Sequence, residues 1–161
     1  MTAFRIALAA YGATAREVFS GRSGYQVDGR WHAHGRFLDY AAGSRSLAVL
    51  ERLVHYKRFD HLQAHVLCSV ELPEAAVLDL PNVPSDWAAP GISAAAQALG
   101  NDWCDRGLSP ALRVPSAVTP GEFNLLINSR HPDWRWDWVT GPEPLVFDSR
   151  LSDLMATARR R

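Results

Sequence analysis

Gly24-Tyr25, Gly29-Arg30-Trp31, Gly35, Tyr40 and Ser46-Leu47-Ala48-Val49-Leu50-Glu51 form, in that order, the stretch whose reading decides the fold. It sets an arginine, a tyrosine and a glutamate ten and eleven residues apart, each in a different local context. Arg30 lies in a Gly-flanked turn, Tyr40 ends the strand-like run Phe37-Leu38-Asp39-Tyr40, and Glu51 falls within an apolar helical pattern. Ser46 is expected to cap that helix, which runs to about Tyr56. Serine favours the N-cap, and Leu47, Leu50 and Val54 recur at helical spacing. Glu51 then flanks the apolar stripe, where a carboxylate is costly to bury unless it is paired.

Outward from this stretch, Phe4–Leu8 reads as a first strand and Gly21–Gly29 as a polar, Gly-rich approach to the turn. Period-two patterning predicts a strand over His65–Leu72, with Val77–Leu80 extending it or pairing with it. Pro81–Pro90 reads as a loop carrying Trp87, and Ser93 opens a helix through Asp105, broken near Gly100. Leu112–Val114, Asn124–Asn128, Trp134–Val139 and Leu145–Asp148 are strand candidates separated by Pro- and Gly-containing turns, and Ser149 caps a short final helix. Strict alternation of Trp134, Trp136 and Trp138 predicts one aromatic strand face, in the core or at a subunit interface. Many short strands, few helices and no regular strand–helix alternation give an α+β class, and no linker divides the chain.

Composition narrows the function classes. The 161 residues suffice for one domain with a real core, and 47% apolar content excludes a disordered chain. The formal charge of +0 provides no global field to hold nucleic acid, so no direct nucleic-acid contact is expected. Lys57 is the single lysine among 17 basic residues, and the only basic run, Arg159-Arg160-Arg161, reads as a solvated end. No apolar run approaches the ~20 residues that span a bilayer. Met1–Ala10 does not read as a signal peptide, and Cys68 and Cys104 do not make a disulfide framework; a cytoplasmic protein without membrane contact is expected.

The candidate chemistry centres on the opening residues. A cation, an aromatic face and a carboxylate are suited to gripping a dinucleotide and stabilising a positively charged sugar transition state. Around Arg30, glycines let backbone N–H groups approach a phosphate that the guanidinium holds bidentately; satisfying loop carbonyls is the structural alternative. Tyr40 either stacks on a ligand ring or packs in the core with its hydroxyl paired. For Glu51 the alternatives are function, an ion pair with Arg52 or Arg113, or partial exposure. Ser116 follows Pro115 without a Gly-x-Ser-x-Gly elbow, which argues against an acyl-enzyme serine; on its own surroundings it reads as a turn-capping hydroxyl. Asn124 and Asn128 face one side of their strand, as pocket lining or a paired edge. Metal is not expected: His32 and His34 form a pair and His55, His61 and His65 a loose group, but His61 and His65 would need one helix face where the pattern turns to strand. Cys68 and Cys104 lack zinc spacing, and Cys68 reads as a small core residue.

Two ordered blocks carry a family resemblance: the opening stretch, and Val114-Pro115-Ser116-Ala117 followed by Asn124-Leu125-Leu126-Ile127-Asn128 and His131-Pro132. From about Phe4 to Leu145 the chain resembles the RES domain, the toxin component of bacterial Xre–RES toxin–antitoxin pairs. The arginine, glutamate and serine that give the family its name correspond to Arg30, Glu51 and Ser116. The chain departs from the family pattern at Asp28 (usually Gly), His32 (usually Asn) and Ser129 (usually Pro).

The resemblance implies a single RES domain over residues 1–161. Its expected core is a split antiparallel sheet with flanking helices, similar to that of ADP-ribosyltransferases. It implies an NAD-cleaving toxin in which Arg30, Tyr40 and Glu51 are catalytic and Gly29, Trp31, Ser116 and Asn124 bind NAD in the pocket. NAD enters as substrate, with no cofactor and no metal. The bond cleaved is nicotinamide–ribose, by hydrolysis or phosphorolysis. Two alternatives stand beside it: a mono-ADP-ribosyltransferase acting on a cellular protein, and a non-catalytic module that receives a partner peptide. The implied partners are a cognate Xre-type DNA-binding antitoxin and a second toxin copy, as a homodimer within the complex.

Overall fold

Strand β1 (Thr2–Leu8) buries a residue on each of its faces, Ala3 inside one face of the sheet and Ile6 inside the other. The computed structural model describes residues 1–55, 64–80, 82–148 and 150–151; the expectations for Tyr56, His61, Pro81, Ser149 and Arg159-Arg160-Arg161 lie outside them. After β1 come two short helices, α1 (Ala15–Val18) and α2 (Arg22–Gln26), then β2 (Asp39–Ala42) and α3 (Arg45–Val54). Next are β3 (His65–Glu71), β4 (Val77–Asp79), α4 (Ala94–Asp105), β5 (Ala111–Pro115), β6 (Phe123–Ile127) and β7 (Val139–Leu145). Among the described residues no helix is long and apolar enough to cross a membrane.

Among the described residues seven strands form one sheet in the order β4-β5-β6-β2-β1-β3-β7, antiparallel except at β4 and β5. The two halves meet at a thin seam: the register of β1 on β2 is the single pair Phe4 with Ala42, whereas β1 and β3 pair from Thr2–Glu71 through Leu8–His65. The expected α+β class and split sheet with flanking helices are thus what the chain adopts. At the seam the ladder is completed by a side chain. Arg5 donates from Nη1 to the Tyr40 carbonyl at 2.9 Å and from Nε to the Val18 carbonyl at 2.7 Å, and pairs with Asp39 at 2.6 Å.

Period-two alternation decides which residues reach the site. On β2 and β6, Ala41, Leu125 and Ile127 enter the core beside Phe19 and Trp134, while Tyr40, Ala42, Asn124 and Leu126 face the opposite side. That opposite face carries both long helices. Leu47 and Ala48 of α3 pack with Ile6, Ala42 and Leu67; Ala96 and Trp103 of α4 pack with Trp31, Leu38, Leu112 and Leu126. Tyr40 and Asn124 therefore emerge on the face that α3 and α4 flank.

Several expectations are corrected. The cap of α3 is Ser44, which accepts from Leu47 N at 3.1 Å; Ser46 is already inside the helix. Val77–Asp79 runs parallel to β5 rather than joining β3, because α4 returns the chain in the same direction, as a parallel connection requires. The second strand starts at Asp39 rather than Phe37, and the Gly21–Gly29 segment contains the turn of helix α2. Trp136–Trp138 is a 3-10 turn that brings Trp136 and Trp138 edge-on to Trp134, both at 5.7 Å. The strand follows it, as β7, and tolerates Pro142 and Pro144 because it lies at the sheet edge.

Helix α4 is continuous through Gly100, against the expected break. A Cβ there would lie 1.8 Å from the Trp31 carbonyl oxygen, so glycine serves close packing of α4 on the Arg30–Trp31 turn. On an exposed helix Gly→Ala gains ~1 kcal/mol. Here Gly100→Ala is expected to cost ~2 kcal/mol or more through overpacking against a backbone atom. Urea denaturation reads the sign; a stabilised variant would show that α4 can move off Trp31 freely.

Candidate active site

Glu51 lies one turn before the end of α3, partly exposed, and its neighbours come from two distant segments. Asn124 Nδ2 on β6 donates to Glu51 Oε1 at 2.5 Å, and Ser116 Oγ, just beyond β5, donates to the same oxygen at 2.8 Å. Carboxylate oxygens only accept when ionised, which fixes the amide orientation of Asn124. Oε2 has no bond to a described residue, so one carboxylate oxygen is tied down and the other is uncommitted. The alternative of an ion pair with Arg113 does not occur, since Arg113 pairs with Asp79.

Ser116 caps its turn and also bonds Glu51. Its oxygen accepts from Val118 N and Thr119 N, each at 3.1 Å, which caps the turn, while its proton goes to Glu51. The turn is fastened to the start of α3 as well: Ser44 Oγ donates to Glu122 Oε2 at 2.8 Å, and Ser116 N donates to the Glu122 carbonyl at 3.0 Å. The residue that caps α3 therefore also holds the turn that delivers Ser116 to Glu51.

Tyr40 is half-buried on β2, and its hydroxyl accepts from Trp31 N at 3.3 Å and meets His32 Nδ1 at 2.9 Å. Burial pushes this phenol well above its usual range, the Glu51 charge adds to that, and the Trp31 N–H and the Arg30 charge oppose it. The charges of Arg30 and Glu51 thus both act on the Tyr40 hydroxyl. The structural alternative for Arg30 is realised in part: Nη1 donates to the carbonyls of Trp87 at 2.5 Å and Ala89 at 3.2 Å. Its Nε and Nη2 have no partner among the described residues, so the guanidinium is held at one end and keeps a bidentate edge at the other.

The remaining expected residues divide. A Cβ on Gly29 would lie 2.5 Å from the His32 ring and from the Tyr40 hydroxyl, so this glycine lets the turn close on that pair. Trp31, expected in the pocket, is a core residue at 2% exposure, with its ring stacked on Trp87 at 5.6 Å. Asn128 lies beyond the end of β6, accepts from Arg130 N and does not join Glu51. Of the histidines, His34 pairs with exposed Asp28 and His32 lies between Tyr40 and Gly24. Cys68 is fully buried, as a small core residue should be.

Sequence reasoning missed the supports. Gln97 on α4 donates from Nε2 to the carbonyls of Gly29 at 3.0 Å and His32 at 2.9 Å, and Asn101 accepts from Ala33 N at 2.9 Å. Their spacing of four residues on one helix face was the available signal, but nothing local names their partners.

A comparison of sequences and structures gives this arrangement a context. The RES domain family profile matches residues 2–148. The chain is 39% identical over 137 residues to "Toxin Res" of Photorhabdus laumondii subsp. laumondii, covering 83% of this chain and 87% of that protein. It is 35% identical over 137 residues to the "Prs ADP-ribosylating toxin" of a Sphingobium species, covering 82% and 85% respectively. Among solved structures, that of the M. tuberculosis MbcT-MbcA toxin-antitoxin complex superposes with a TM-score of 0.69 at 18% identity, over 95% of this chain and 87% of the matched one; at that identity the likeness is one of fold.

The shared oxygen of Glu51 yields a prediction independent of any activity. Asn124→Asp would set a second carboxylate beside Glu51, and like charges at this distance cannot both ionise without cost. Its stability is expected to fall as pH rises above the carboxylate range. The double change Glu51→Gln with Asn124→Asp restores one donor and one acceptor. Denaturation of the four proteins should show non-additivity of ~1–3 kcal/mol; additive effects would mean that the pair does not bond in solution.

Proposed function

The chain belongs to the RES domain family, and on that premise we propose that it is the toxin of a toxin–antitoxin pair and cleaves the nicotinamide–ribose bond of NAD. The observation that carries the reading is the Glu51 carboxylate, fixed through Oε1 by Ser116 and Asn124 and uncommitted at Oε2. Departure of neutral nicotinamide leaves an oxocarbenium-like ribose. A carboxylate already oriented toward the developing charge stabilises it without reorganising at the moment of reaction. Glu51 would also align the attacking water or phosphate through the ribose hydroxyls.

The other residues take roles that suit their bonds. Arg30 would receive the pyrophosphate on its Nε–Nη2 edge, with Nη1 braced by the Trp87 and Ala89 carbonyls. Tyr40 would pack its ring against nicotinamide or its ribose. Ser116 and Asn124 would act through Glu51, while Gly29 and Trp31 would shape the turn. NAD is the substrate, and no further cofactor is invoked.

A second reading is favoured by one observation, the name of the Sphingobium relative: the same site would transfer ADP-ribose to a protein rather than to water or phosphate. The partner we propose is an antitoxin that covers this face, of the Xre type that the family resemblance implies.

Free nicotinamide released from NAD by the purified protein, with and without phosphate, tests the proposal. Glu51→Gln keeps an acceptor for Ser116 and Asn124, so it is expected to melt as the parent does while losing ~100-fold or more in turnover. Dependence on phosphate identifies phosphorolysis; radiolabel on a macromolecule identifies the transferase. Equal turnover by the variant would remove Glu51 from the mechanism.

A further inference from the structure

His32 is buried at 2% exposure and belongs to no role assigned above. Its Nε2 lies 3.1 Å from the Gly24 carbonyl oxygen and its Nδ1 lies 2.9 Å from the Tyr40 hydroxyl. A carbonyl only accepts, so Nε2 carries the proton of the neutral ring and Nδ1 presents a lone pair. The Tyr40 hydroxyl must then donate to Nδ1, while its oxygen accepts from Trp31 N. The chain of bonds runs one way, Tyr40 O–H to His32 and His32 N–H to Gly24. It is seated by Gly29, which leaves no room beside the ring, and by Gln97, which holds the His32 carbonyl.

We propose that His32 is a positioning residue for the NAD-cleaving reaction: it aims the Tyr40 hydroxyl hydrogen away from the substrate, so that Tyr40 meets the ligand through its ring and leaves Glu51 uncontested. The proposal rests on the reading given under Proposed function. A second proton on His32 would make both ring nitrogens donors. Tyr40 would then accept from Nδ1–H as well as from Trp31 N, and its own hydrogen would have to turn out of this chain toward the site it shares with Glu51 and Arg30. There it would compete for the carboxylate that the transition state needs.

The charged surroundings define the conditions. Burial holds the His32 imidazole below its usual range; Asp28, after α2, pulls it up, and Arg36, before β2, pushes it down. Arg36 is itself paired with Asp105 of α4, and Gln97, the α4 residue that bonds the His32 carbonyl, is uncharged. Tyr40 faces the ring from β2, with Glu51 of α3 and Arg30 acting on that tyrosine. At neutral pH the imidazole is therefore uncharged and the donor chain points inward. Reversal begins only as pH falls below ~6.5, the ordinary histidine value.

The test is the pH profile of kcat and kcat/KM for nicotinamide release between about pH 5 and 8, for the full chain, His32→Gln and Tyr40→Phe. Below the His32 midpoint the parent should lose about tenfold per pH unit in kcat, with KM little changed. Both variants should lose that acid limb, whereas a merely structural role would lower the rate equally at every pH. An acid limb unchanged in either variant overturns the proposal. Nitrogen chemical shifts of His32 in the parent protein provide a readout that needs no variant: the Nε2–H tautomer at neutral pH supports it, and an Nδ1–H or doubly protonated ring overturns it. A parent that releases no nicotinamide at any pH defeats the NAD-cleaving reading, while the nitrogen shifts still decide the bond chain separately.

Discussion

Arg5 reaches across the seam of the sheet to Asp39, 2.6 Å away and almost wholly buried, and the rest of the structure depends on that pair. Backbone pairing between β1 and β2 is a single residue pair, too little to hold two half-sheets in register. The guanidinium supplies what the ladder lacks, by bonding the Tyr40 and Val18 carbonyls as well as the carboxylate. Asp39 pays its desolvation with more than one partner: Gly21 N donates to it at 2.6 Å and Ser23 Oγ at 3.3 Å. Burial pushes its carboxyl up, while Arg5, Gly21 and Ser23 oppose that. Such a network is costly to break because removing one member leaves the others charged or polar and dry.

The same network reaches the site. Gly21 and Ser23 belong to the segment that leads into Gly29-Arg30-Trp31, so anchoring them to Asp39 sets where the turn begins. Tyr40 is the next residue along β2, its carbonyl held by Arg5 on one side and its hydroxyl by His32 and Trp31 on the other. The far side of the turn rests on α4 through Gly100 and Gln97. Glu51, from α3, meets Asn124 of β6 and Ser116 just beyond β5. Separate stretches of chain thus converge, and two of them are fixed by bonds that leave polar atoms without a partner among the described residues: Nε and Nη2 of Arg30, and Oε2 of Glu51.

Legibility in the sequence followed the range of the interaction. The helix around Glu51 and strands β1, β3, β5 and β6 were readable because their periodicity is a local property. Ser46 reads as the cap because it is a serine at the head of the apolar run; Ser44 takes the role instead, its hydroxyl held by the Glu122 carboxylate 78 residues away, which no local pattern announces. Trp134, Trp136 and Trp138 alternate as a strand would. They instead wind into a 3-10 turn, because packing Trp136 and Trp138 edge-on to Trp134 buries more aromatic surface around Phe19. Gly100 looked like a helix breaker since its reason for being glycine, the Trp31 carbonyl, lies outside the helix.

By itself the sequence determined the residue types of the site and their order: a cation in a glycine turn, an aromatic at a strand end, a carboxylate on a helix, then Ser116 and Asn124 on a second block. It also determined the α+β class, because alternation and helical spacing are written into neighbouring residues. Only the tertiary structure decided which atoms remain available. Ser116 and Asn124 converge on one oxygen of Glu51, Trp31 withdraws into the core, and His32 captures the Tyr40 hydroxyl. Hydrogen bonds fix direction over about 3 Å, and no spacing along a chain specifies which groups will come that close once the sheet has twisted and the helices have packed.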